Sequence, residues 1–213
     1  MTNTLADVSP EHRITTTEQL EEIYGEANPR SLTKEIDHIS DHYRAFIEKA
    51  PFVAVATSGP EGLDCSPRGD PPGFVRVLDS KTVLIPDRRG NNRIDTLRNL
   101  VRDPRVSLLF LIPGVRETMR INGRAEIITD PELLESFIMQ RKLPRSILAV
   151  TVDRIYFQCS KALVRSGLWS ADAQIERTEL PSTGEMIAAL SSDGFDGEEY
   201  DKGYPEHMNK TIY

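Results

Sequence analysis

The run Ile85-Pro86-Asp87-Arg88-Arg89-Gly90-Asn91-Asn92-Arg93 gathers arginine forks and asparagine amides around one glycine. It follows an apolar stretch that reads as a strand and leads into an amphipathic stretch that reads as a helix. A helix start offers unpaired backbone N–H groups, asparagines add neutral donors, and guanidinium forks bind a dianion bidentately. Gly90 lets the backbone turn tightly beside a ligand. Each charge-assisted contact contributes about 1.5–3 kcal/mol, so two arginines with the amides can anchor the phosphate monoester of a nucleotide-sized ligand. The competing reading is a basic surface turn in which Asp87 and Asp95 pair with the arginines, an arrangement that contributes little.

Two further stretches bear on that choice. Cys65-Ser66-Pro67-Arg68-Gly69-Asp70 sets an arginine among small residues ahead of a strand. Arg116-Glu117-Thr118-Met119-Arg120-Ile121-Asn122-Gly123 opens another strand with polar groups at alternate positions. Three polar strand ends in one small barrel would converge on a rim, and polar groups clustered in a cleft imply a ligand. Other candidates carry less. His38 and His42 have i, i+4 spacing, but Ile39 stands where a zinc peptidase would carry glutamate, and two ligands do not make a site. A surface helix explains them. Cys65 lies near Arg68, which favours a thiolate, yet no histidine adjoins it and an incidental thiol is the simpler reading. Trp169, in the company of Lys161 and Arg165, is open to either a core or a cofactor role.

The elements that must hold these residues are mostly short strands. The segments 52–57, 73–78, 82–86, 106–112, 118–128 and 147–159 read as strands, with turn chemistry at Ser58-Gly59-Pro60-Glu61-Gly62 and Pro71-Pro72-Gly73. Met119, Ile121 and Ala125 alternate with Arg120, Asn122 and Arg124, one apolar face against one polar face. Six strands with close turns predict a mainly β fold with helices, a small barrel rather than a parallel sheet. Ile36, Ile39, Tyr43, Phe46 and Ile47 recur at helical spacing up to Pro51, which ends that helix. Further helices are expected over 17–24, over 91–102 with Ile94, Leu97, Leu100 and Val101 on one side, and after Asp130-Pro131-Glu132, where aspartate caps and proline takes the first turn. Ser182 and Glu185 have capping-box spacing. The stretch 191–213 shows no period and reads as a tail, either disordered or laid across a partner.

Composition limits the function. The chain has 213 residues, two cysteines and a formal net charge of −7. Such a charge argues against a nucleic-acid partner, because phosphate backbones select basic surfaces. No apolar run approaches the roughly 20 residues of a membrane span, the first 13 residues resemble no export signal, and the cysteine pair forms neither a metal spacing nor a disulfide framework. A cytoplasmic protein is expected. Acids gather toward both ends, whereas arginines gather between Arg68 and Arg124, which points to a clefted anion rather than a long polyanion.

The run Asp103-Pro104-Arg105-Val106-Ser107-Leu108-Leu109-Phe110, followed by Arg116 through Glu126, resembles the core of pyridoxamine 5'-phosphate oxidase-like proteins. Within that family the chain is similar to a bacterial subgroup of FMN-dependent enzymes that carries Ser66-Pro67-Arg68-Gly69-Asp70, Pro86-Asp87-Arg88-Arg89-Gly90-Asn91-Asn92-Arg93, Lys161-Ala162, Arg165-Ser166 and Leu168-Trp169. The resemblance covers about residues 50–170. It implies a six-stranded split β-barrel over 51–170, preceded by an N-terminal arm and helix over 1–50 and followed by a C-terminal helix and tail over 171–213. It implies a homodimer with one FMN at each end of the interface. The flavin phosphate would sit at the strand-to-helix turn, on Arg88, Arg89, Asn91, Asn92 and Arg93, with Arg68 facing it and Pro86 and Asp87 also among the cofactor-binding residues. Glu117 and Thr118 fall where the family carries an arginine and a glutamine near the isoalloxazine. Lys161 and Trp169 fall in the stretch that reaches the flavin, from one chain or from its partner. The activity implied is FMN-dependent oxidoreduction of a small molecule, with NADH or NADPH as candidate electron donors. The alternative is a module that binds, stores or senses FMN or haem without turnover. Where pyridoxamine phosphate oxidases carry an arginine- and histidine-bearing grip on their substrate, this chain reads Phe157-Gln158-Cys159-Ser160-Lys161-Ala162, so the family's named substrate is not expected.

Overall fold

The computed structural model describes residues 5–213 and divides the chain into two compact units, one ending at Glu35 and one over Ile36–Tyr213. The first four residues of the stretch read as no export signal lie outside the described residues.

The first unit contains α1 (Thr17–Tyr24) and α2 (Pro29–Thr33), neither with a buried residue. Local capping defines them. The Thr16 hydroxyl accepts from the Gln19 backbone N–H at 3.3 Å while the Gln19 side chain accepts from the Thr16 N–H at 3.3 Å, a reciprocal capping box. The Asn28 side chain caps α2 by accepting from the Arg30 N–H at 2.9 Å.

The second unit runs α3 (Asp41–Lys49), β1 (Phe52–Gly59), β2 (Gly62–Gly69), β3 (Arg76–Val77), β4 (Thr82–Asp87), α4 (Asp95–Arg102), β5 (Arg105–Leu111), β6 (Thr118–Ile128), α5 (Pro131–Ser136), β7 (Ser146–Gln158), α6 (Lys161–Ser166), α7 (Thr183–Leu190) and α8 (Gly197–Thr211). One antiparallel sheet takes the order β2-β1-β5-β6-β7-β4-β3. It is the mainly β split barrel implied by the resemblance, built from seven strands rather than six. The core takes alternate residues from its strands: Val53 and Val55 of β1, Val83 and Ile85 of β4, Val106, Leu108 and Phe110 of β5, and Leu148, Val150 and Val152 of β7. The first half of β7 is buried on both faces, because Ile147 and Ala149 pack with Leu84 and Phe137 on the outside. β6 bends at a bulge between Asn122 and Gly123. A Cβ on Gly123 would stand 2.0 Å from the Thr151 carbonyl oxygen, so the crossing there requires glycine.

Besides the unexpected short helices α2 and α6 and a β3 of two residues where 73–78 is expected, four elements depart from the sequence expectation. The additional strand is β2, a sheet edge whose alternate residues Asp64, Ser66 and Arg68 are polar, so it carries no apolar period. Pro67 fits within it because an edge strand tolerates a missing N–H. The helix expected from Ile36 begins only at Asp41, capped by the Ser40 hydroxyl, which accepts from the Tyr43 N–H at 3.3 Å. Ile36 instead pairs its backbone with Ile155, N–H to O at 3.1 and 2.8 Å, so sheet pairing overrides the helical spacing there. The helix expected over 91–102 begins at Asp95, after Asn92 and Ile94 adopt left-handed φ of 61° and 55°. The stretch 191–213 contains a helix of 15 residues, α8, whose cap Asp196 accepts from the Glu199 N–H at 2.9 Å. α8 packs on α7 where Gly184 and Gly197 bring the two backbones together, and Asp201 accepts from the Gly184 N–H at 2.8 Å. The caps expected at Asp130 and at Ser182 with Glu185 are present. No helix among the described residues is long and apolar enough to cross a membrane.

Candidate functional site

A cavity of about 620 Å³ opens where β2, the end of β4, the loop 88–94, the start of α4 and the start of β7 meet. β2 supplies Asp64, Ser66 and Arg68 on the face that also carries the core, since their partners across the ladder include Val53, Val55 and Thr57. This alternation puts Cys65 on the other face, exposed. The end of β4 supplies Pro86 and Asp87, and the register sets Asp87 opposite Ser146. Beyond α8 the chain returns to the cavity, where Ile212 and Tyr213 form part of its wall.

Ion pairs organise the lining. Arg68 lies 3.2 Å from Asp87. Burial pushes the Asp87 carboxyl up, against the opposing pull of Arg68 and Arg145. Arg88 pairs through Nε with Asp70, whose side chain is 1% exposed, and donates through Nη1 to the Phe137 carbonyl at 3.1 Å. The Tyr213 hydroxyl donates to the other Asp70 oxygen at 2.6 Å, and that bond holds the phenol above its usual range. Arg93 pairs with Asp95 at 2.9 Å in an exposed position. Asp64 accepts from Ser66 at 3.0 Å and from Thr96, in the first turn of α4, at 2.5 Å. Arg145 donates its backbone N–H to the Asp87 carbonyl at 2.9 Å and its guanidinium to the Asn92 amide oxygen at 2.8 Å. Among the described residues, Arg89 and Arg145 are the lining arginines without a carboxylate partner. The buried Ser146 hydroxyl has no hydrogen-bond partner among the described residues.

The cavity therefore brings together eight of the residues expected from the sequence: Arg68, Pro86, Asp87, Arg88, Arg89, Asn91, Asn92 and Arg93. It does not include Glu117, Thr118, Lys161 or Trp169. Thr118 faces Gln158, and its hydroxyl lies 3.4 Å from the Gln158 side-chain oxygen. Trp169 donates its indole N–H to the Val115 carbonyl at 2.7 Å, just before Glu117, and Lys161 opens α6. This second cluster lies at the far end of β7 from Ser146, about 40 Å of strand contour at about 3.3 Å per residue. His38 hydrogen-bonds Asp37 at 2.9 Å and precedes α3, so the two histidines share no helix. Sequence reasoning missed Asp64, Thr96, Arg145, Ser146 and Tyr213. Only Thr96 lay on an expected helix beside the basic run.

The family model for pyridoxamine 5'-phosphate oxidase matches residues 39–159, more than half of the chain. The chain belongs to this family. That match spans β1 to β7 and all of the cavity wall except Ile212 and Tyr213. Among solved structures, HupZ of Group A Streptococcus is 22% identical, with 56% of this chain and 93% of that chain covered and a TM-score of 0.45. An FMN-binding protein from Syntrophomonas wolfei is 12% identical over 67% of this chain and 96% of that chain, with a TM-score of 0.42. A FAD binding protein from Mycobacterium smegmatis is 14% identical over 58% and 97%, with a TM-score of 0.40. No curated protein matches the chain.

Proposed function

We propose that the protein is a flavoprotein that binds FMN with its phosphate in this cavity and acts as a cytoplasmic FMN-dependent oxidoreductase. The observation that carries the reading is the charge of the cavity. Within a protein of net charge −7, its wall sets Arg68, Arg88, Arg89, Arg93 and Arg145 against Asp64, Asp70, Asp87 and Asp95. The arginines outnumber the aspartates, and the guanidinium of Arg145 is bonded only to a neutral amide. A buried serine hydroxyl without a partner adds a donor. Such a donor set suits a phosphate monoester, and the cavity volume falls in the range of small-molecule sites.

FMN, when bound, would supply hydride and electron transfer. The chain's own part is to anchor and orient. Arg68 and Arg145 offer charge to the phosphate, Asn91 and Asn92 offer amides, and Asp87 fixes Arg68 in place. Glu117, Thr118, Lys161 and Trp169 do not line this cavity and gather instead around the other end of β7. That separation supports a homodimer in which one subunit holds the phosphate and its partner brings the second cluster to the flavin ring. The family's named substrate is not proposed, since the segment 157–162 holds no histidine.

The test starts with the absorbance spectrum of the purified protein and fluorescence-quenching titrations with FMN and riboflavin. Reduction by NADH and by NADPH follows. Preference for FMN with turnover supports the proposal. Equal affinity for riboflavin would sink the phosphate assignment, and bound FMN that neither nicotinamide reduces would leave a binding module in place of the oxidoreductase.

A further inference from the structure

We propose that the innermost seat for the ligand's phosphate is the corner formed by Arg145 and Ser146 at the start of β7, not the start of α4. The inference rests on the reading that the cavity holds a phosphate monoester, and it names the residues that recognise it.

The first observation is Ser146. It is 5% exposed, lines the cavity, and its hydroxyl has no hydrogen-bond partner. Native interiors rarely leave a buried hydroxyl unpaired, because its desolvation then goes uncompensated. An acceptor oxygen delivered by a ligand would satisfy it. The second observation is independent and concerns charge. Arg68, Arg88 and Arg93 each face a carboxylate. Arg89 and Arg145 have no carboxylate partner among the described residues, and of the two it is Arg145 that adjoins Ser146, bonding to the neutral Asn92 oxygen at 2.8 Å. Its guanidinium forms no ion pair among the described residues, its charge being felt at Asp87 only through space, and its position is fixed by the Asp87 carbonyl, which accepts its backbone N–H at 2.9 Å. Arg68, held by Asp87, bounds the same corner across the β4–β7 pair.

The start of α4 is a poor competitor. Its N-cap is Ile94, in a left-handed conformation and without a side-chain cap, and its first residue is Asp95. The Thr96 hydroxyl is already given to Asp64 at 2.5 Å. Two carboxylates thus stand where an incoming phosphate would need the helix's positive end. Arg93 beside it is 75% exposed and paired with Asp95, a setting in which a cation contributes little.

The experiment uses the full chain with Arg145→Gln, Ser146→Ala and Arg93→Gln, titrated with FMN and with riboflavin and melted without ligand. Arg145→Gln should weaken FMN binding about 10- to 100-fold and Ser146→Ala about 3- to 10-fold, with riboflavin binding unchanged. Arg93→Gln should cost less than Arg145→Gln. Ser146→Ala should melt no lower than wild type, because it removes an unpaired group; this separates a ligand contact from a structural one. If wild type prefers FMN to riboflavin and both corner variants keep that preference, the seat lies elsewhere and the inference falls while the flavin reading stands. If wild type shows no such preference, the flavin reading falls and inorganic phosphate becomes the probe. A phosphate-dependent rise in melting temperature that Arg145→Gln abolishes then keeps the corner as an anion seat, and the absence of any such rise overturns it.

Discussion

Arg88 reads from the sequence as a phosphate ligand, yet its donors are committed within the fold, and replacing it should reveal a stability defect. Its Nε meets the Asp70 carboxylate, its Nη1 meets the Phe137 carbonyl at 3.1 Å, and its guanidinium lies 5.3 Å from the Tyr213 ring centroid. The Asp70 side chain is 1% exposed and that of Arg88 15%. Arg88→Ala would leave Asp70 buried with the Tyr213 hydroxyl as its one side-chain donor. Breaking a buried pair by removing one partner costs about 3–5 kcal/mol. The lower end applies here, about 3 kcal/mol, since Tyr213 still donates at 2.6 Å. In a domain of this size each kcal/mol moves the midpoint by about 2–4 °C, so the melting temperature of the ligand-free variant should drop by about 6–12 °C. Asp70→Asn combined with Arg88→Gln removes both charges and should recover at least half of that loss, the signature of a coupled pair. Circular-dichroism melts of wild type and the two variants make the measurement. An Arg88→Ala protein that melts within about 2 °C of wild type, on this same slope, but binds FMN tenfold more weakly would refute the argument and return Arg88 to the phosphate.

Two further expectations concern Asp87 and subunit sharing. Burial raises the Asp87 carboxyl, so the folded protein keeps that proton to higher pH than the unfolded chain. Its contribution is full below the ordinary value of about 3.9 and is lost as pH rises through the raised one. Asp37 and Asp103, both lowered to about 2 by hydrogen bonds from Lys81 and Arg105, act with the opposite sign, so the difference between wild type and Asp87→Asn isolates Asp87. That difference should shift in favour of the variant as pH climbs above 4, and a difference independent of pH would refute it. A heterodimer of one Arg68→Ala subunit and one Trp169→Ala subunit should keep one FMN site of wild-type affinity. Finding both sites weakened, given that each substitution weakens its own homodimer, would place Arg68 and Trp169 at the same chain's flavin.

Much of the fold was legible because burial wrote a period into the sequence. The alternation through 118–128 marks β6, the apolar run that opens 147–159 marks β7, and the aspartate-proline start of α5 is a local signal that needs no tertiary help. The failures have a common physical origin. β2 is an edge strand with a polar face turned to the cavity, so the alternation that marks other strands is missing from it. Ile36 and Ile39 keep helical spacing with the α3 residues, yet Ile36 pairs its backbone with Ile155 and Ile39 gives its N–H to the Ser80 carbonyl. α8 has an N-cap and a thin row of Tyr200, Tyr204 and Met208 interrupted by Pro205, and its packing relies on the close approach of Gly184 and Gly197, which composition cannot show.

The same division separates the two halves of the cavity. Residues 86–93 are concentrated in one run, and their types alone suggest an anion. What that run does depends on partners that are remote in sequence. Asp70 takes Arg88, Asp95 takes Arg93, and Asp87 turns back to hold Arg68, so of the three cations in the run two are neutralised and Arg89 is left without a carboxylate partner among the described residues. Arg145 and Ser146 stand more than fifty residues downstream in a stretch with no motif. They reach the cavity because the β4–β7 register sets Ser146 against Asp87. A hydroxyl left unpaired and a guanidinium left without a carboxylate are properties of surroundings, not of residue type. Sequence can therefore count the cations of an anion site, whereas only the fold distinguishes those already neutralised from those still able to bind.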